Sequence, residues 1–101
     1  MKVKTPKLRK AIGDKPSSAQ LRAVTRRSVV KVSNSTDRFW VIVHSRNGDQ
    51  IIGEVNNVLD GQLKLGDIIS FTPDKIWVIS PDKIPASMLP INRKFVEIMR
   101  D

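Results

Sequence analysis

The chain predicts a single α+β domain, built as a small curled antiparallel sheet or partly open barrel with a short N-terminal helix and a C-terminal helix. Three observations carry this expectation. Between residues 28 and 79, β-branched and aromatic runs alternate with turn-forming clusters roughly every ten residues. Just ahead of that region, Ser17 and Gln20 have the spacing of a capping box. Beyond Pro81, Pro85 and Pro90, apolar residues recur at 91, 95, 98 and 99.

Residues 1–16 hold few apolar side chains, two prolines and no periodicity, so they read as a flexible basic arm leading into a globular domain over 17–101. A helix over about 18–27 would put Leu21 and Val24 on one side and Arg22, Arg26 and Arg27 largely on the other. It is short enough to need docking for stability. The sheet is expected over about 29–79. Its first strand is Ser28 to Val32, and its second, the clearest, runs from Arg38 to His44. Asn47-Gly48 is the dipeptide favoured where both turn residues take positive φ, and Gln50 to Val55 completes a hairpin. Asn56 and Asn57 break that strand, and Asp60-Gly61 turns the chain into Gln62-Leu63-Lys64-Leu65. Ile68 to Phe71 follows Gly66-Asp67, and Lys75 to Ile79 follows Thr72-Pro73-Asp74. The last helix, over about 91–100, places Ile91, Phe95, Ile98 and Met99 on one face.

With 101 residues the chain has room for one modest core. It has no cysteine, which removes disulfides, thiolate nucleophiles and thiolate metal sites and fits a reducing compartment. No apolar run approaches the roughly 20 residues that span a bilayer, and no secretory-type hydrophobic stretch follows the basic start. A cytoplasmic protein with no membrane partner is the expectation. A transit peptide is the competing account of the leader, but Pro6, Gly13 and Pro16 interrupt the amphipathic helix it needs.

Charge is the strongest functional signal. Lys2, Lys4, Lys7, Arg9, Lys10, Lys15, Arg22, Arg26, Arg27 and Lys31 stand against the lone Asp14, so the first 31 residues carry +9. The remainder holds eight basic and nine acidic residues, and the whole formal excess of +8 therefore belongs to one end. That asymmetry makes a polyanion the first partner to consider.

Catalysis finds little support. The single histidine, His44, reads as an exposed or half-buried strand residue, and its neighbour Ser45 points to the opposite face, out of proton-sharing reach. Asp49, Glu54, Asp60, Asp67 and Asp74 fall mainly at turns without a spacing that demands a cation. The glycines are scattered singly, so no phosphate-cradling loop exists. The expectation is a non-enzymatic protein with no cofactor and no metal.

Nucleic acid, DNA or RNA without base specificity, is the leading partner, held through the ten cations above. Phe39 and Trp40 alternate on one strand, so one faces the core; an exposed Phe39 or Trp77 would stack on an unpaired base. The plainer reading gives four of the five aromatics to the core. The competing function is a protein-interaction module, or a small regulator or inhibitor of the phage type, docking on an acidic protein surface. The face formed by Ile91, Phe95, Ile98 and Met99 either packs on the sheet or serves a partner or a homodimer.

Trp40-Val41, Gly53-Glu54-Val55-Asn56-Asn57, Leu63-Lys64-Leu65-Gly66-Asp67 and Ile76 form a set of short motifs over residues 39–77. In these the chain resembles an uncharacterised bacterial domain family, the YegJ-like family. Trp77 follows Ile76 directly, where the family pattern sets its later Trp further on. The resemblance implies a small β-rich fold and no activity. Gly53, Asn57 and Gly66-Asp67 also have a direct physical reading, as a strand irregularity and turn-formers.

Overall fold

The computed structural model describes residues 2–59 and 61–85. Within them, the run of aromatic and β-branched residues at 39–43 forms the middle of the longest strand, β2 (Arg38–Asn47). It lies at the centre of a five-stranded antiparallel open sheet with β1 (Val29–Ser33), β3 (Gln50–Val55), β4 (Ile68–Phe71) and β5 (Val78–Ile79). The order is β4-β3-β2-β1-β5. Sequential strands are neighbours until the last, which returns to the first and pairs Val30 with Ile79 and Lys31 with Val78. One short helix, α1 (Ser18–Arg22), precedes the sheet.

Alternation along the strands separates the two faces. Val30, Val32, Phe39, Val41, Val43, Ile51, Val55, Ile69 and Phe71 point inward and form one cluster with Leu8, Val24, Leu63 and Ile76. Each large apolar side chain buried this way contributes about 1.5–3 kcal/mol. At Gly53 the inner face is too crowded for a side chain. A Cβ there would lie 2.5 Å from Val41 Cγ1 and 2.7 Å from the Ile42 carbonyl oxygen.

The β2–β3 hairpin forms where expected, with a different turn. Its register shifts between Val43 and Ser45, so His44 is an extra residue on β2. The shift leaves Asn47 paired with Gln50, and the turn residues become Gly48-Asp49. Gly48 takes φ +61 while Asp49 stays out of the left-handed region. Glycine first with only one positive φ is the type II′ pattern, not the type I′ that Asn47-Gly48 predicts.

Other expectations change as well. The capping box forms: the Gln20 amide donates to Ser17 Oγ, and the Ser17 amide to Gln20 Oε1. The helix nevertheless stops at Arg22 instead of about 27, and Arg27 turns the chain at φ +79. Residues 62–65 form no strand. Positive-φ glycines at 61 and 66 flank them, and Asp67 draws the Lys64 amide into a turn at 2.8 Å. The last strand shrinks to two residues because Pro73–Lys75 forms a 3-10 turn, with the Ile76 amide bonded to the Pro73 carbonyl. The helix expected over 91–100, and the homodimer face on it, lie outside the described residues.

The segment expected as a flexible arm runs along the sheet. Lys4 makes a parallel bridge to the edge of β4, its amide donating to the Ile68 carbonyl at 2.9 Å and its carbonyl accepting from the Ser70 amide at 2.9 Å. The Arg9 amide then donates to the Ser33 carbonyl at the end of β1, and the Ala11 amide to the Asp74 carbonyl. Leu8 and Ala11 are buried beneath this path.

Candidate nucleic-acid interface

The backbone of residues 2–16 is anchored, and most cations of the first 31 residues stay outside. Lys2, Lys7, Arg9, Lys10, Lys15, Arg22 and Arg26 are exposed, and Lys4, Arg27 and Lys31 are half-buried. Lys4 Nζ lies 2.8 Å from Asp67 Oδ2, and this is the one lysine or arginine ion pair among the described residues. Partial burial alone would raise the Asp67 carboxyl. The Lys4 ammonium, the Lys64 amide and the charges of both lysines outweigh that and hold it below the usual carboxylate range. The other nine cations have no carboxylate partner among the described residues.

Three arginines bond to backbone carbonyls of the fold. Arg27 Nε donates to the Ile84 carbonyl at 2.8 Å, while its amide donates to the Val43 carbonyl. Arg26 and Arg27 lie beyond α1, so they do not share a helix face with Arg22. Arg26 Nη1 instead reaches the His44 carbonyl at 3.3 Å. Arg46, which sequence reasoning did not single out, donates Nη1 to the Leu21 and Val24 carbonyls at 2.6 and 2.9 Å. Those are carbonyls at the end of α1, where a cation is favoured.

Lys2, Lys4 and Lys7 line a groove of about 700 Å³ between the leader, the β1–β2 turn, Leu59 and residues 61–63. The turn contributes Asn34, Ser35 and Thr36, and Asp37 is the acidic residue of the wall among the described residues. Asn34 Oδ1 accepts from the Thr36 and Asp37 amides, which fixes the turn. Three lysines facing polar groups across an open groove can follow a phosphate backbone.

Next to that turn, on the outer face of the sheet, stand two cation–aromatic pairs. Lys31 is directly opposite Trp40 in the β1–β2 register, and its Nζ lies 4.7 Å from the centre of the Trp40 ring. Arg38, two residues before Trp40 on the same face, places its guanidinium carbon 4.5 Å from the centre of the Trp77 ring. Phe39 and Phe71 are buried, so the base-stacking role considered for Phe39 is closed. Both tryptophans are half-buried and do not join the core as the plainer reading has it. Arg38 was also missed, although the two-residue period and the β1 pairing place it with Trp40 and Lys31.

His44 corrects another expectation, because it is fully buried. Its Nε2 lies 3.3 Å from Glu54 Oε1, and Glu54 is buried as well. Ile42 and Ile68, which flank Glu54 in register across the sheet, are buried on the same face. Ser45 is half-buried on the far side of the bulge. Among the turn carboxylates, Asp67 is taken by Lys4, Asp74 accepts from Thr72 Oγ1, and Asp60 lies outside the described residues. Among the described residues no three histidine, cysteine or carboxylate side chains gather where a metal ion would sit. None of the helices there is long and apolar enough to cross a membrane. Comparison with protein families, with characterised proteins and with solved structures finds no match for this chain.

Proposed function

We propose that this protein binds nucleic acid electrostatically and performs no chemistry on it. Phosphates contact the leader's cations along the lysine-lined groove, and the sheet supplies the platform that holds them there. One observation carries the reading: the acid-poor first 31 residues keep nine of their ten cations unpaired with carboxylates among the described residues, while the backbone of the leader over residues 2–16 is fastened to the sheet. Fastening removes part of the ordering cost that a free arm pays on binding. The resemblance to the YegJ-like family adds no activity to this reading, and an oligonucleotide needs none.

The test is a salt titration of full-length protein against a generic DNA or RNA. Binding at about 50 mM salt should weaken steeply as salt rises, with log K on a duplex falling by about 0.9 per phosphate contact for each tenfold rise in salt. Replacing Lys2, Lys7, Arg9, Lys10 and Lys15 together by Gln should flatten that slope. Substitution is preferable to truncation, because Leu8 and Ala11 belong to the buried interior. Absence of binding to any duplex or single strand at that salt removes the proposal.

The competing reading, a module for an acidic protein surface, draws on exposed apolar side chains set among the cations. Ile12 lies between Lys10 and Lys15, and Leu65 follows Lys64; both are more than half exposed. Affinity capture that returns one dominant protein after nuclease treatment supports that reading.

A further inference from the structure

We infer that the outer face around Lys31, Arg38, Trp40 and Trp77 selects single-stranded over double-stranded nucleic acid by stacking unpaired bases on its two cation-covered indoles. This inference rests on the nucleic-acid reading above and adds to it the form of the ligand.

The geometry favours an unpaired strand for three reasons. First, Arg38 lies over Trp77 and is itself exposed. A guanidinium stacked on an indole offers its other flat side outward, and such planes accept bases as aromatic rings do. Trp77 Nε1 is buried without a hydrogen-bond partner among the described residues, so the indole edge points inward and Arg38 covers the ring. Second, Lys31 lies over Trp40. An ammonium on a flexible stem can slide off the ring toward a phosphate when a base takes its place, keeping both contacts in one nucleotide.

Third, the two platforms lie side by side on one face of the sheet, because Arg38 and Trp40 are two residues apart on the same strand. Bases lying flat on both would sit beside each other and not on each other, which is an unstacked arrangement. Bases inside a duplex show no free face without paying to leave the stack. The groove that carries Lys2, Lys4 and Lys7 begins at the 34–37 turn, directly before Arg38. A strand whose bases lie on the indoles therefore has a cationic path for its backbone at that end.

The test compares a single-stranded oligothymidine of about 20 nucleotides with a duplex of equal length, at matched low salt. Full-length protein should bind the single strand at least about tenfold more tightly, and the single strand alone should quench tryptophan fluorescence. Arg38→Gln and Lys31→Gln alter side chains outside the buried core, and together they should reduce the single-strand preference several-fold. Trp40→Leu should do the same, and Trp40→Phe should restore part of the preference, with circular dichroism confirming the sheet in each variant. Equal affinity for the two forms, or single-strand binding without quenching and insensitive to all four substitutions, overturns the stacking inference and leaves electrostatic binding standing. No binding to either form overturns both.

Discussion

The leader and the sheet hold themselves in place by different means. The sheet is a continuous antiparallel ladder over a shared apolar interior, and it spends few charges. The leader over residues 2–16 is fixed by isolated backbone bonds from Lys4, Arg9 and Ala11, two buried apolar side chains and one ion pair. Stability and charge are thus assigned to separate segments. Where an arginine is consumed by folding, as with Arg27 and Arg46, its partner is a backbone carbonyl, and Lys4 is the cation that gives its charge to a carboxylate among the described residues. Most of the charge excess therefore stays available.

That division can be broken most forcefully from the sheet side. Phe39→Ala removes the largest fully buried side chain and should cost about 3–5 kcal/mol, read as a lowered urea midpoint. A smaller loss would mean the leader carries more of the stability than its few bonds indicate. Gly53→Ala forces Val41 or the β2 backbone to move and should cost about 1–3 kcal/mol in the same assay. Arg46→Met keeps much of the side-chain bulk but removes the side-chain donor from the Val24 carbonyl and leaves the Leu21 carbonyl only its backbone amide donors. About 1–2 kcal/mol should be lost, along with helical signal in circular dichroism.

The leader side gives smaller effects. Each exposed leader lysine changed to Gln should shift stability by no more than about 0.5 kcal/mol. Asp67→Asn sharpens the comparison through pH. The folded-state value of Asp67 lies below its ordinary 3.8, so its contribution is complete above that pH. The contribution disappears as pH falls below 3.8 and through the folded-state value. With Lys4 substantially exposed, the pair is worth about 1 kcal/mol or less. Urea midpoints of Asp67→Asn and the parent protein should therefore differ near neutrality and converge in acid.

Much of the sheet is legible in the sequence, because β1 to β4 are local patterns of β-branched residues bounded by turn formers. The capping box at Ser17 and Gln20 is equally local. What is not legible depends on contacts between distant segments. Nothing near Lys4 announces a bridge to Ile69, and nothing in Leu8 and Ala11 beyond their three-residue spacing marks them as buried. The inserted residue at His44 follows from pairing with β3, and it changes both the turn type and the fate of that side chain. At the candidate site, the ten cations are visible as a charge bias. The aromatic surface needs the strand register, since only the β1–β2 and β1–β5 pairings bring Lys31, Trp40 and Trp77 together. The Trp77 amide bond to the Lys31 carbonyl completes that assembly.

Lys4 has a consequence for how copies of the molecule meet one another. Its bridge occupies the outer margin of β4, where an unpaired strand would otherwise recruit a neighbouring chain. The residue that guards this margin also lines the groove proposed for phosphate. A ligand that pulled the leader away would uncover an adhesive β-margin, whereas one that binds with the leader seated leaves it sealed. Colloidal stability in the presence of ligand therefore reports which of these two ways of binding the molecule uses.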